Sequence, residues 1–224
     1  MAAKAAHGSL VQCVGASTAF AAAASTLVSG TTYQINDAAK RIIDPATALT
    51  VLDAAVADAA SGADFLFGKA TLSEAPGGAV TMTGSYLPLL NVALVKSFAL
   101  KVSATVHEIS SINGGAAKTR LTGLQDASLA LETTAQRYDD LDSGGGVLTI
   151  DGAAVARYGT AMLVTILPYT GANYFKGWFM LEALESKGPV DGLLSLSMTL
   201  SGHVRTGTVG TGSTAVTVSH GWGT

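Results

Sequence analysis

Apolar and polar residues alternate with a period of two along much of this chain, and this pattern constrains the fold most. It is clearest over residues 98–107, where Phe98, Leu100, Val102, Ala104 and Val106 fall on one side and Lys101, Ser103, Thr105 and His107 on the other. Residues 126–132 and 193–204 repeat it. Because successive side chains of a strand project to opposite faces, each segment predicts a half-buried β-strand.

Weaker strand signals occupy the rest of the chain. They predict strands at residues 10–14, 31–35, 49–52, 65–72, 80–83, 147–150 and 162–167. Glycine and proline clusters at 75–78, 113–115, 143–146 and 187–192 separate these segments, as turns separate the strands of an antiparallel sheet.

The segment 174–184 differs from the others because it is apolar on both sides. Phe175, Phe179 and Leu181 share one parity, and Trp178, Met180 and Leu184 share the other. A strand of this kind is buried twice, once in the core and once against something else, and contact with another copy of the chain is one way to cover it. We therefore expect this strand to pack on both of its faces.

Helical signals are few. Residues 45–60 are rich in alanine and follow Asp44-Pro45, a pair typical of a helix start, and residues 152–158 could form one or two helical turns. The sequence predicts a mostly β fold: a single antiparallel β-sandwich or barrel domain with one short flanking helix and extended terminal arms. The expected boundaries are an N-terminal arm and first strand over 1–30, a β-sandwich domain over 31–204, and a Gly/Thr/Ser-rich C-terminal tail over 205–224.

Composition excludes several classes of protein. The net charge of −3 does not support a nucleic-acid binder that works through a basic field, and 48% hydrophobic residues exclude disorder. Only 13% of residues are charged, about half the usual quarter. A surface so poor in charge indicates a subunit covered by copies of itself or by partners, with an exported monomer of Ser/Thr-rich surface as the alternative.

No catalytic, cofactor or metal site is expected. The histidines at positions 7, 107, 203 and 220 have no metal-ligand spacing, and the single cysteine, Cys13, excludes disulfides and multi-thiolate sites. Cys13 is expected to be a small buried thiol, and the acidic run 139–144 lacks the ligand pattern of a calcium loop. A strand-like segment follows the glycines at 144–146, which argues against a phosphate loop. The chain is therefore predicted not to be an enzyme.

The N-terminal segment and the hydropathy pattern predict neither a leader nor a membrane span. Polar residues and glycines interrupt the first 25 residues, which lack the hydrophobic stretch of a signal peptide, and no run of 18 apolar residues exists. We expect the segment to belong to the structured protein.

Several motifs resemble the major tail (tail tube) proteins of bacteriophages with long non-contractile tails. The run YTGANYFKGWFMLEAL at 169–184 leads into GPVDGLLSLSMTLSG at 188–202 and resembles the final hairpin of that family. TYQINDAAKRIIDP at 32–45 resembles its entry strand and loop, and 65–72, 84–88 and 122–129 continue the similarity in order. Together the motifs span roughly residues 30–204.

The resemblance implies a structural virion protein located in the tail and assembled in the host cytoplasm. In this family six copies form a ring, rings stack into a tube through loops and terminal arms, and DNA passes through the lumen during ejection without specific binding. The implied partners are the chain itself and other tail proteins at the tube ends, with no membrane and no cofactor.

The lumen of such a tube must let DNA slide, so its wall should carry Ser, Thr and acidic residues rather than clustered Lys and Arg. The sequence offers the polar sides of 101–107, 126–132 and 195–203 as candidate faces, with Glu132 as the test position. The alternatives are a head decoration or capsid-stabilising protein and a carbohydrate-binding β-sandwich. The last usually needs several exposed aromatic residues, and only Trp178 and Trp222 are available.

Overall fold

The computed structural model describes residues 10–54, 56–57, 60–91, 95–109, 119–135, 141–142, 147–150, 153–156, 161–167, 173–187, 194–210 and 214–223. In chain order its strands are β1 (Leu10–Val14), β2 (Thr18–Ser29), β3 (Thr32–Ile35), β4 (Thr50–Asp53), β5 (Val56–Ala57), β6 (Ala60–Asp64), β7 (Lys69–Leu72), β8 (Val80–Tyr86), β9 (Leu89–Asn91), β10 (Val95–Ile109), β11 (Thr119–Ala135), β12 (Leu141–Asp142), β13 (Val147–Ile150), β14 (Ala153–Ala156), β15 (Ala161–Leu167), β16 (Tyr174–Lys187), β17 (Leu194–Gly202), β18 (Arg205–Val209), β19 (Thr214–Val218) and β20 (His220–Gly223).

The fold is mostly β, as the sequence predicts, and two antiparallel sheets form a sandwich-like arrangement. The large sheet has the order β10-β11-β17-β16-β15-β1-β9, and β20 also pairs with β16. The second sheet has the order β5-β4-β8-β2-β3-β7-β6. Two smaller sheets contain β12-β13-β14 and β18-β19.

The first core lies on one face of the large sheet. Its described buried members all come from strands of that sheet, so the sheet curves around its own apolar side chains. Phe175, Phe179 and Leu129 are fully buried there. The whole set is Val11, Cys13, Ala127, Leu129, Leu131, Met162, Val164, Ile166, Phe175, Phe179, Leu181, Met198 and Leu200.

The second core joins the opposite face of the large sheet to the second sheet. Leu163 and Trp178 project from β15 and β16 into it and pack with Ile35, Phe65 and Met82 of the second layer. The strand β16 is thus buried on both faces over residues 175–179, which confirms that part of the prediction for 174–184, whereas Glu182 and Ala183 are exposed. Both layers that cover it belong to the same chain.

A β-bulge in β16 changes the face on which one residue lies. The register with β17 shifts between Leu181 and Ala183, so Leu184 packs against the first core, on the same side as Phe175 and Phe179. Uninterrupted alternation along the sequence predicts Leu184 on the same face of the strand as Trp178. The extra residue of the bulge reverses the parity after Leu181.

The helix predicted over 45–60 is wrong for the described residues, which form β4 and β5 instead. Asp44 accepts a hydrogen bond from the backbone N–H of Ala46 at 2.9 Å, so the expected helix start forms a turn. β4 then pairs with β8, and Val51 is fully buried. Alanine has a high intrinsic helix propensity, but pairing with a neighbouring strand outweighs it because propensity contributes less than tertiary context. Likewise, β14 lies within 152–158, where helical turns were expected.

The strand predicted over 65–72 begins later than expected. Residues 65–68 form the turn between β6 and β7, and only β7 is extended. Gly68 has φ of +63°, a left-handed conformation that glycine tolerates, and a Cβ there would lie 2.7 Å from Arg41 Cα. The turn is apolar because Phe65, Leu66 and Phe67 are all buried in the second core.

The C-terminal segment, expected as an extended tail, is part of the folded body. β18 and β19 form a hairpin whose Val209 and Val218 are buried in the second core, and β20 pairs with the first half of β16. Gly207 lets this hairpin approach Phe65 closely: a Cβ at position 207 would lie 2.5 Å from Phe65 Cζ. The Gly-rich composition therefore serves close packing here.

The N-terminal region contains two strands rather than one. β1 forms at the predicted residues, and the Ala-rich β2 lies between β8 and β3 in the second sheet. β2 shows little alternation in burial, and Ala22 has a positive φ of 47° where its register with β8 shifts. This irregularity explains why no strand was expected there.

Candidate assembly surface

The three polar faces proposed from the sequence lie side by side in the structure. β10, β11 and β17 are neighbours in the large sheet, and β16 continues the series. One row of paired residues runs Ser97–Glu132–Ser197–Glu185, and the next runs Ala99–Ala130–Thr199–Ala183. All eight side chains are exposed. They belong to one continuous surface, which we call the polar face.

Small side chains and carboxylates make up most of the polar face. Ser97 Oγ donates a hydrogen bond to Glu132 Oε2 at 3.1 Å, and Ser201 Oγ donates to Glu182 Oε2 at 2.6 Å. These bonds hold two carboxylates close to the sheet. The surface between them carries the small side chains of serine, threonine and alanine.

The described charges of the polar face are mainly negative. Asp126, Glu132, Glu182 and Glu185 are exposed there, and Lys101 is the one exposed cation in the described part of this face. Their sum is −3, equal to the net charge of the whole chain. A surface of this sign repels phosphate.

The polar face ends at an open sheet edge. β10 is the last strand of the large sheet and is 15 residues long, about three times the usual length. In the described part of the chain no strand pairs with its outer side. An edge of this length presents backbone N–H and C=O groups that another strand could pair with. Val102 lies on this edge strand with 44% of its surface exposed.

The exposure of Val102 marks where the first core ends along β10. Phe98 and Leu100 pack against the core, whereas Val102 and Ala104, on the same side by sequence, are exposed. Alternation in the sequence predicts one continuous apolar side along β10. It does not reveal that this side is uncovered at Val102 and Ala104. The side chains of Val106 and His107 lie outside the described residues.

The single cysteine and two of the histidines, His203 and His220, have described side-chain surroundings. Cys13 is buried, and burial raises the pKa of its thiol to about 12, so it is an unreactive core residue as predicted. His220 stacks on Phe175 with ring centroids 5.8 Å apart, and His203 is half-buried. His7 and most of the acidic run 139–144 lie outside the described residues. The described residues contain no group of three or more His, Cys, Asp or Glu arranged for a metal ion.

The two tryptophans differ in their surroundings. Trp178 is buried in the second core, with the Arg205 guanidinium 5.1 Å from its ring centroid. Trp222 keeps 57% of its surface exposed and lies edge-on to Phe175. One exposed tryptophan does not make the row of aromatic side chains that sugar stacking uses.

Comparisons with known proteins assign no family to this chain. No protein-family model matches it, and a search of the curated proteins finds no relative. Within the described ranges, the structure has no helix with the length and apolar character that a membrane crossing requires.

Proposed function

We propose that this chain is a structural virion protein, whose copies join laterally into six-membered rings that stack into the tube of a phage tail. The observation that carries the proposal is the open edge of β10 beside the polar face. A long edge strand at the end of a curved sheet supports joining between copies by strand pairing. The motif resemblance over residues 30–204 supports the tail tube as the particular assembly.

The low charge of the chain supports the same proposal. Strand pairing between copies covers backbone groups and the apolar side chain of Val102 without requiring charged contacts. In a ring, the polar face would line the channel, and its net negative charge would let DNA slide without binding. On this proposal the protein is not an enzyme and works without a cofactor.

The edge can be tested with a pair of matched variants. Val102→Lys places a charge on the exposed edge strand, a change that natural proteins use to prevent strand pairing. Val204→Lys makes the same change at a valine that is 53% exposed and lies off this edge, between β17 and β18. We expect wild-type protein and Val204→Lys to form rings and tubes in electron micrographs, and Val102→Lys to remain smaller by light scattering.

Three results would contradict the proposal. A wild-type monomer at every protein and salt concentration would exclude self-assembly. Trimeric knobs instead of rings would favour a decoration protein of the capsid. Equal assembly of the two lysine variants would place the contact away from β10.

A further inference from the structure

A cavity with one buried cation lies beside the start of β16, away from the polar face. Gln12, Thr165 and Lys176 are direct cross-strand neighbours on β1, β15 and β16, so their side chains project from the same face of the large sheet. The cavity has a volume of about 210 Å³. Its lining consists of Gln12, Leu89, Thr165, Leu167, Tyr174 and Lys176.

Lys176 is an unusual residue to find in this place because only 5% of its surface is exposed. Its Nζ donates a hydrogen bond to the Leu66 carbonyl oxygen at 2.9 Å. The same nitrogen lies 5.1 Å from the ring centroid of Phe67 and 5.0 Å from that of Tyr174. No carboxylate of the described residues lies within ion-pair distance of it.

The charges around Lys176 compensate its burial only in part. Burial lowers the pKa of Lys176 to about 8, attraction to Asp64 opposes this change, and repulsion from Arg41 adds to it. Burial also raises the pKa of Asp64. A buried ammonium is normally paired with a carboxylate, and here a carbonyl and two aromatic rings take that place.

Thr165 supplies a second sign of an incomplete site. Its hydroxyl is buried next to Lys176 and has no hydrogen-bond partner in the structure. Buried polar groups are nearly always paired, so an unpaired hydroxyl beside a buried cation with no described carboxylate at ion-pair distance needs an explanation. Both residues line the same cavity, and Leu89, on the cavity wall, keeps 36% of its surface exposed.

We propose that this cavity binds a small carboxylate with a short apolar chain. The carboxylate would accept a charge-assisted hydrogen bond from Lys176 Nζ and a second bond from Thr165 Oγ1 after a small rotation of that side chain. Leu89, Leu167 and the Tyr174 ring would contact the apolar chain. Pockets for drug-sized ligands have volumes of about 300–1,000 Å³, so a cavity of about 210 Å³ suits a smaller molecule.

The test compares sodium hexanoate with 1-hexanol in calorimetric titrations of the full chain. We expect saturable binding of hexanoate and at least tenfold weaker binding of hexanol, which has the same chain length without the charge. Lys176→Met should weaken hexanoate binding at least tenfold. Lys40→Met removes a surface lysine paired with Asp37 and should leave binding unchanged.

A measurement on the wild-type chain keeps the proposal testable if Lys176→Met fails to fold. NMR titration of the Lys176 side chain should show that saturating hexanoate raises the pKa of Lys176, because a paired ammonium holds its proton more strongly. Thr165→Val, which conserves shape, should weaken binding by a smaller factor. An unchanged pKa, or equal binding of hexanoate and hexanol, would overturn the proposal.

Discussion

The polar face and the junction around Lys176 use polar residues in opposite ways. On the polar face, Glu132 and Lys101 are exposed, so water solvates their charges whether or not a protein group contacts them. At the junction, Lys176 is enclosed by Leu66, Phe67 and Tyr174, so water solvates its charge poorly and the groups that contact it matter more. We therefore expect substitutions at the junction to change stability, and substitutions on the polar face to change assembly.

The turn over residues 65–68 shows how closely the junction is fitted. Each of its four carbonyl oxygens accepts a hydrogen bond, and the donors come from three separate parts of the fold. The donors are Ile43 N at 2.8 Å, Lys176 Nζ at 2.9 Å, Gln34 Nε2 at 2.8 Å and Ile35 N at 3.0 Å. Because four hydrogen bonds hold this turn, its backbone can move little. We therefore expect a substitution that contacts the turn to disturb both sheets.

The largest expected effect is on the free energy of unfolding, through the titration of Lys176. Its pKa is about 8 in the folded protein and 10.5 ordinarily, so between these values the unfolded chain binds more protons. The free energy of unfolding contributed by this group therefore rises with pH, by about 3 kcal/mol in all. Urea denaturation of wild type and Lys176→Met at pH 7, 9 and 10 should show wild type gaining stability relative to the variant.

The comparison with Lys176→Met removes the contribution of other titrating groups. Asp64, Arg41 and Tyr174 remain in both proteins, so the difference between the two free energies isolates the lysine. If the difference in free energy of unfolding between wild type and Lys176→Met stays constant over this pH range, the ammonium is well solvated. In that case Lys176 would not differ from the exposed charges of the polar face.

A smaller loss of stability is expected when a methyl group is added between the C-terminal hairpin and the turn. In Gly207→Ala the new Cβ would lie 2.5 Å from the Phe65 ring, which is fully buried and cannot move away freely. Overpacking of this kind lowers stability by about 2 kcal/mol. Gly62→Ala is the matched control because a Cβ there meets no atom within 4 Å. Equal midpoints of urea denaturation for the two variants would show that the hairpin is loosely packed.

These two regions also show what the sequence can reveal. The strands β10, β11 and β17 were predicted from alternation because each has one exposed polar side, and their exposed sides could be listed residue by residue. The order of strands in the sheet, which places these sides next to each other, is set by long-range pairing that alternation does not encode.

The junction could not be predicted for a different reason. Lys176 lies in an otherwise apolar strand, where a long charged side chain normally reaches water, whereas in the fold the turn over residues 65–68 and the Tyr174 ring cover it. The C-terminal segment has the glycine-rich composition of a flexible tail. Its packed position follows only from the contact between Gly207 and Phe65, which the sequence does not reveal. One signal was available: Lys176 is the single charged residue among the apolar residues 174–181.

The smallest effect on stability is expected on the polar face. Glu132→Lys removes the hydrogen bond from Ser97 and adds a cation in solvent, so the free energy of unfolding should change by less than about 0.5 kcal/mol. Chemical denaturation measures this change. A larger loss would mean that the polar face contributes to the fold and would weaken the contrast with the junction.

The same substitution tests the channel that we propose. Each Glu132→Lys changes the charge by two units, so the net charge of one band of the wall in a ring of six copies rises by about twelve units, from six lost carboxylates and six added ammonium groups. Such a band attracts phosphate, and salt screens the attraction over about 10 Å at 0.1 M ionic strength. Tubes should still assemble, and DNA release from particles that carry the variant should slow, most strongly at low salt.

Glu74→Lys makes the same charge change in the exposed loop between β7 and β8 and should release DNA at the wild-type rate. If both variants release DNA normally at low salt, Glu132 lies outside the channel, and the same result along β11 and β17 would exclude the polar face as its wall.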